Sequence, residues 1–268
     1  MKPNANILDS HPLLNSSRRL PYGARLVWFL VFLGIWYAIA ETGAASSLIV
    51  PHPTAVWRAA ENIGWTVWLH AAATFLRTVV GFVVGSTLGV AVGCLVQFSP
   101  AFRSVVEPFL DASRPVPALA LLPFFILIFG FSELGRFVLI ILSVAVFVAI
   151  ATIEAMAKVP EAWVRFARVS GLPRREVFAS ILLPGSAPWL VGPMRLALAT
   201  AFTLAIASEF MGAQYGLGYL INTARVNLAT QTIWLAVLIL GLICQAADIA
   251  LVSTFKAATR WYQSSDNV

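Results

Sequence analysis

Charged residues are scarce in this chain of 268 residues: they make up 11% of it, whereas hydrophobic residues make up 59%. Soluble domains carry roughly 25% charged residues, because their surfaces must be hydrated. The composition therefore excludes an ordinary soluble enzyme and indicates a protein of the lipid bilayer. The apolar runs are long and continuous rather than alternating, which predicts an all-α polytopic membrane protein and not a β-barrel.

Cysteine, histidine and lysine are rare as well. Cys94 and Cys244 lie inside apolar runs, where a thiol behaves as a small hydrophobe, so we expect no disulfide framework. The histidines form no cluster with carboxylates, so no metal site and no catalytic residue is expected. Lys2, Lys158 and Lys256 do not follow glycines, which excludes the phosphate-binding loop of an ATPase. We predict a non-catalytic chain that binds no cofactor itself.

Six apolar segments predict six transmembrane helices, and two of them have unusual sequences. Gly81, Gly85, Gly89 and Gly93 share one face of the second segment, which favours close packing against a neighbouring helix. The third segment is short and rich in proline, and the backbone groups that proline leaves unpaired indicate that it lines a cavity. The predicted spans cover residues 26–40, 75–96, 116–130, 137–152, 188–208 and 232–253.

The distribution of the few charges predicts the orientation. The net charge of +6 indicates basic cytoplasmic loops in a membrane protein rather than nucleic-acid binding. With the N-terminus inside, the basic residues on or near the outer side are Arg58, Arg77, Arg136 and Arg225, and these are compatible with an anionic substrate. Both termini are thus predicted to be cytoplasmic. We expect a cytoplasmic tail over 1–25, a transmembrane domain over 26–255 with a cytoplasmic loop at 153–187, and a second tail over 256–268.

The cytoplasmic loop contains a helix-turn-helix signature. Gly171 suits the left-handed conformation that ends a helix, and Pro173 suits the first turn of the next one. The stretch is expected to expose Val169, Leu172 and Phe178 among basic residues. This pattern fits a short knob inserted into a groove of a partner protein.

The spacing between Gly171 and three later residues resembles the EAA loop of the membrane permeases of bacterial ATP-binding-cassette (ABC) importers. The three later residues are Ile181, Leu183 and Pro184. In that register the Glu-Ala-Ala triplet of the family falls on residues 165–167, where this chain has Arg-Phe-Ala. Only the last alanine of the triplet is retained.

Further motifs resemble the nitrate, sulfonate and taurine branch of the same family. In chain order they are Arg114-Pro115-Val116-Pro117, Leu122-Pro123, Phe129-Gly130-Phe131-Ser132-Glu133, Pro193-Met194-Arg195-Leu196, Ala207-Ser208-Glu209 and Gly216-Leu217-Gly218. Each motif alone is weak, but their common order makes the resemblance specific. It extends over most of the chain beyond the N-terminal tail.

The resemblance implies a type I importer of the MetI-like fold, with six spans in the bacterial inner membrane. It further implies a homodimer of permeases, two ABC ATPase subunits that bind ATP and Mg, and a periplasmic or lipid-anchored substrate-binding protein. The branch implies a small anion as substrate, such as a sulfonate, taurine, nitrate or an organic carboxylate. The residues expected to couple the permease to the ATPase are Arg165, Ala167, Val169, Gly171, Leu172 and Arg174.

Several residues within the spans are candidates for the transport path. Hydroxyl side chains could contact a hydrated solute, although such hydroxyls often bond to their own backbone instead. These are Ser143, Thr200, Thr203 and Ser208. Candidate gate residues are Phe124, Phe125 and Met211, and Glu209 either shapes the outer gate or marks an interface. Arg195 and Asp248 are predicted to pair within one subunit, because unpaired charges at membrane depth are costly.

A gradient-driven secondary transporter is the main alternative. It would predict inverted repeats and carboxylates near the midplane for coupling ions, and neither stands out in the sequence. A membrane-embedded scaffold or enzyme subunit is a second alternative, but it would not need the spacing from Gly171 to Pro184.

Overall fold

The computed structural model describes residues 22–44 and 46–259. Most of the two predicted tails lies outside the described residues. The described chain is helical and contains no strand. The helices are α1 (Tyr22–Thr42), α2 (Pro53–Ile63), α3 (Thr66–Phe98), α4 (Pro100–Ser113), α5 (Leu122–Phe129), α6 (Glu133–Ala157), α7 (Glu161–Val169), α8 (Arg174–Val177), α9 (Leu183–Phe210), α10 (Leu217–Val226) and α11 (Thr230–Ala258).

Within the described residues, four helical segments are long and apolar enough to cross a membrane. They are Thr66–Phe98, Glu133–Ala157, Arg174–Phe210 and Thr230–Ala258. A fifth is added if α4 and the helical turns that end at Phe129, which meet at 92°, count as one broken span. Helix α1 lies where the first span is predicted but is not among these segments, so a count of six remains a prediction.

The third predicted span is not a continuous α-helix. Helix α5 has 8 residues, which is about 12 Å and too short for a hydrocarbon core of roughly 30 Å. The segment before α5 is extended at Pro117 and then forms a 3-10 turn over Ala118–Leu121. Proline explains the interruption, because it removes a backbone donor and disfavours a helical conformation in the preceding residue.

Helices α3 and α6 pack directly backbone to backbone along the glycine stripe. A Cβ atom added to Gly85 would lie 2.7 Å from the carbonyl oxygen of Ile141, and one added to Gly89 would lie 2.6 Å from that of Ala145. A Cβ atom at Gly93 would meet Thr152 at 2.7 Å. The predicted close approach is therefore present, and α6 is the neighbour. Together with α9, these helices enclose a core that includes Ile140, Val144, Ala197 and Ala201.

The two ends of the bundle are built differently. At one end, here called the α10 end, helices α2, α10 and α11 enclose a second core, in which Trp36 of α1 stacks on Trp234 with 5.0 Å between ring centroids. At the other, the α7 end, the segment between α6 and α9 projects from the bundle. The chain is helical through Leu183 and Pro184, which begin α9. A π-helical segment, Phe178–Leu182, joins α8 to α9, so the fifth span begins earlier than residue 188.

Candidate functional site

The predicted coupling loop forms two short helices joined by a glycine turn. Gly171 has φ +81°, in the left-handed region that favours glycine. The N–H of Leu172 donates to the carbonyl of Ala167 at 3.1 Å, and the N–H of Gly171 donates to that of Arg168 at 3.1 Å. These two bonds define a Schellman motif, which ends α7. Nothing lies within 4 Å of a Cβ built at Gly171, so glycine is favoured here by the backbone conformation and not by a lack of space.

The loop presents apolar side chains to the outside. Phe166 is 76% exposed and Val169 is 84% exposed. They share one face of α7 with Arg165, which pairs with Glu161 at 3.0 Å. A cavity of about 580 Å³ adjoins this face, between α7 and the start of α9. Its lining residues are Trp163, Phe166, Ser180, Ile181, Pro184 and Gly185.

Other loop residues that were predicted to contact the ATPase or to be exposed instead contact the rest of the permease. Ala167 is 1% exposed, so it supports α7 from beneath and does not form part of the free surface. Arg174 donates from Nη2 to the carbonyl oxygen of Phe98 at 2.7 Å. The expectation that Phe178 is exposed was wrong: it is half-buried and packs edge-on against Phe98, with centroids 5.6 Å apart. Leu172 remains partly exposed, and Leu183 is exposed at the start of α9.

A buried carboxylate organises the α10 end. The Glu209 side chain has no exposed surface. It accepts hydrogen bonds from Thr74 Oγ1 at 2.9 Å, from Arg77 Nη1 at 2.7 Å and from the backbone N–H of Gly218 at 2.8 Å. A Cβ at Gly216 would collide with this carboxylate. Glu209 is thus an internal anchor for the loop between α9 and α10, and its carboxylate does not face a path.

Two of the arginines considered for an anionic substrate belong to the same network. Arg77 makes a bidentate pair with Glu133, with Nε at 2.6 Å and Nη2 at 2.8 Å, and donates to the carbonyl of Tyr215 at 2.9 Å. Arg136 donates from Nη1 to Glu133 at 2.7 Å. Both arginines are 6% exposed. Carboxylates of the protein balance their charges. Neither arginine is therefore free to bind an anionic substrate.

An open groove of about 870 Å³ runs between α9 and α11. Arg195 and Asp248 lie along it as a bidentate pair, with Nε to Oδ1 at 2.6 Å and Nη2 to Oδ2 at 2.8 Å. The structure therefore brings these two side chains together within one subunit. Thr203 lines the groove as well, and its hydroxyl donates to the carbonyl of Ala199 at 3.0 Å.

The remaining path candidates are placed in different environments. Ser143 and Thr200 also donate to carbonyls of their own helices. Ser208 does the same and is buried. Of the candidate gate residues, Phe124 and Met211 are exposed, whereas Phe125 is buried. Among the residues that the structure describes, no three His, Cys, Asp or Glu side chains are grouped as metal ligands would be.

The family follows from a comparison of the whole chain with known proteins. The model of the binding-protein-dependent transport system inner membrane component matches residues 81–253, which is more than half of the chain. The chain belongs to this family. It is an ABC importer permease subunit, as its loop motif indicated.

Relatives of this permease have been named for taurine and for aliphatic sulfonates. It is 27% identical over 239 residues to the taurine transport system permease protein TauC of Escherichia coli (strain K12), covering 87% of each chain. It is 27% identical over 265 residues to the putative aliphatic sulfonates transport permease protein SsuC of Bacillus subtilis (strain 168), covering 98% of this chain and 95% of the relative.

A solved structure confirms the predicted MetI-like fold. A chain of the inward-facing MetNI methionine ABC transporter superposes with a TM-score of 0.60 and 22% identity, covering 73% of this permease and 98% of that chain. This likeness concerns the fold.

The sequence did not single out Thr74, His70 or the ion-pairing role of the Glu133 carboxylate, which complete the network around Glu209. The one available signal was that charges at membrane depth need partners.

Proposed function

We propose that this permease forms the translocation path of an importer for a small sulfonate-like anion and that a separate ATPase subunit docks on α7 and α8. The observation that carries the proposal is the exposed apolar face of α7. Phe166 and Val169 lie there beside cationic Arg165, with a cavity of about 580 Å³ next to them. Apolar anchors with a charged rim are typical of a protein-protein interface.

The remaining parts of the mechanism follow from this docking site. ATP and Mg are bound by the ATPase, because this chain has no phosphate-binding loop. Docking places the α7 end on the cytoplasmic side, which agrees with the positive-inside rule and puts both termini inside. One chain carries one docking loop, so a homodimer over two ATPase subunits is the natural assembly. A substrate-binding protein delivers the anion at the α10 end.

The substrate class is supported by the relatives named for taurine and aliphatic sulfonates. In this structure Arg77 and Arg136 are occupied by Glu133 and Glu209. The permease therefore offers few free cations for selecting the anion. We infer that the binding protein supplies most of the selectivity.

The docking site is tested with two matched valines. Val169 ends α7 and Val226 ends α10, and both are exposed, at 84% and 71%. We expect Val169→Asp to weaken copurification of the ATPase by about tenfold or more, as for a residue central to an interface. Val226→Asp should leave copurification unchanged. Equal behaviour of the two variants would reject docking on α7.

Transport itself is tested in vesicles that contain the purified complex. ATP hydrolysis should rise when the binding protein is loaded with taurine or an alkanesulfonate, and uptake should continue when ionophores collapse the ion gradients. Uptake that proceeds without the ATPase and stops with the ionophores would instead support a secondary transporter.

A further inference from the structure

A small, largely enclosed cavity lies where α3 ends against the coupling loop. Its volume is about 100 Å³, well above the ~10–15 Å³ needed to hold one water molecule. Three polar side chains line it: Gln97 at the end of α3, Arg168 on α7 and Arg174 on α8. It thus admits a group of several heavy atoms between two positive charges.

The two arginines of this cavity have N–H donors that are not used by other groups of the described chain. Arg174 uses Nη2 for the carbonyl of Phe98, and its guanidinium lies 5.5 Å from the centroid of the Phe98 ring. An arginine has five N–H donors, so most of those on Arg174 remain available. Within residues 22–44 and 46–259, Arg168 has no carboxylate within ion-pair distance. The cavity is therefore rich in cationic donors and has no anionic partner from the described chain.

The rest of the cavity lining is apolar. It consists of Phe98, Val177, Phe178 and Leu182. Phe98 is the last residue of α3, and Leu182 leads directly into α9, so the cavity adjoins the ends of two helices that are apolar enough to span a membrane. Cationic groups beside apolar ones match a phospholipid, whose anionic headgroup adjoins its acyl chains.

The cavity does not share its side chains with the exposed apolar face of α7. Phe166 and Val169 lie on that face with Arg165, whereas Arg168 lines the cavity against α3. The docking site and the cavity can therefore be tested with different substitutions on the same helix.

We propose that this cavity binds the phosphate group of an anionic phospholipid, with Arg168 and Arg174 as charge-assisted donors and Gln97 as a third donor. Basic pockets at the cytoplasmic ends of membrane helices are suited to anionic headgroups, and the fork of arginine fits phosphate oxygens. The cytoplasmic location rests on the orientation proposed above, whereas the lining of the cavity does not. The bound lipid would connect the end of α3 to the coupling loop.

The test compares two arginines of the same loop. Both arginines are exposed, but only Arg168 lines the cavity. The permease is purified with its ATPase in detergent, and binding of phosphatidylglycerol is measured by native mass spectrometry. We expect Arg168→Gln to weaken this binding by about tenfold, as for the loss of a charged hydrogen bond. Arg175→Gln should change it by less than about twofold, because Arg175 does not line the cavity.

A second variant covers the case in which Arg168→Gln does not yield a folded complex. Gln97→Leu keeps the volume of the side chain and removes its donors, and it should also weaken binding of phosphatidylglycerol. Equal affinity of the wild type and both cavity variants would overturn the site. Phosphatidylcholine serves as the zwitterionic lipid, and equal binding of it would overturn the requirement for an anionic headgroup.

Two further measurements identify what fills the cavity. If millimolar inorganic phosphate displaces the lipid, the cavity is a phosphate site filled from solution, and the lipid assignment is overturned. If Arg168→Gln loses the ATPase with its affinity for phosphatidylglycerol unchanged, the cavity belongs to the docking surface, which also overturns it. Val169→Asp should retain lipid binding. Failure of the proposed docking site is therefore distinguishable from failure of the lipid site.

Discussion

The loops at the two ends of the helical segment Arg174–Phe210 both turn at glycines, yet their surroundings differ. At the α10 end, the N–H of Gly216 donates to His70 Nδ1 at 3.2 Å and the N–H of Leu217 donates to Thr74 Oγ1 at 2.7 Å. At the α7 end, the bonds of Gly171 and Leu172 go to carbonyls of α7 itself. The backbone of the first loop is thus bonded to side chains of a distant helix, whereas the turn of the second is closed by bonds within its own segment.

This difference agrees with the separate roles proposed for the two loops. A buried carboxylate is stable only when its partners satisfy it, so the α10 loop and the core around Glu209 depend on each other. The turn at Gly171 is formed by local bonds, and the helix before it exposes Phe166 and Val169. Substitutions at the α10 end should therefore affect folding, and those at the α7 end should affect binding of the ATPase.

Glu209→Gln should have the largest effect on stability. It leaves Arg77 with one buried anionic partner fewer and places amide hydrogens against the donors of Thr74 and Gly218. Loss of one partner of a buried ion pair costs about 3–5 kcal/mol. The measurement is the free energy of unfolding of the purified complex in detergent. Glu107→Gln is the control, since Glu107 pairs with Arg103 at an exposed position, and a change of equal size there would contradict the prediction.

Gly216→Ala should destabilise the protein more than Gly171→Ala. At Gly216, with φ +135°, the added methyl group collides with the Glu209 carboxylate, and overpacking together with backbone strain costs more than about 2 kcal/mol. At Gly171, φ is +81° and the space is open, so the cost is the backbone strain of about 1 kcal/mol. The same unfolding measurement compares them. A larger loss at Gly171 would show that the α7 loop is the more constrained one.

Gly171→Val should abolish coupling at a cost in stability of only about 1–2 kcal/mol. A β-branched residue does not adopt the left-handed conformation of the Schellman motif, so the angle between α7 and α8 changes. The protein should still insert in the membrane, but ATP hydrolysis should no longer respond to the loaded binding protein. Gly43→Val is the control, because Gly43 also has positive φ and open space but lies outside the coupling loop. Normal coupling in Gly171→Val would reject the role of this turn.

Leu172→Ser and Met211→Ser should have the smallest effects on stability. The two residues belong to the two loops and are similarly exposed, at 38% and 41%, so each substitution should cost about 1 kcal/mol or less. Only Leu172→Ser should weaken copurification of the ATPase, and by severalfold. Weaker copurification in both variants would show that the two loops do not differ in the way proposed.

Local signals in the sequence predicted the local features well. Gly171 followed by Pro173 predicted the turn of the coupling loop, because its bonds are formed within a few residues. The stripe of glycines from Gly81 to Gly93 predicted a close helix contact, because only glycine leaves room for a neighbouring backbone. In both cases the constraint comes from the conformation or the volume of a single residue type.

Features that join distant residues were not predictable in the same way. Arg77 and Glu209 are 132 positions apart, and Arg77 and Glu133 are 56 apart. The sequence shows that such charges need partners, but the choice among partners depends on how α3, α6 and α9 are placed. The prolines of the third segment suggested that it lines a cavity, but neither the 3-10 turn before α5 nor the 92° bend after α4 was predicted. The direction that a chain takes after a proline depends on what it packs against.

The π-helical segment before α9 has a mechanical consequence. Because Phe178–Leu182 remains helical, Arg174–Phe210 is one continuous helical segment of 37 residues, about 55 Å long. Pro188 and Pro193 lie inside it, and prolines are positions where a helix bends. Under the docking proposed above, a displacement of the coupling loop would reach the Glu209 anchor along this one segment, with no loop between them.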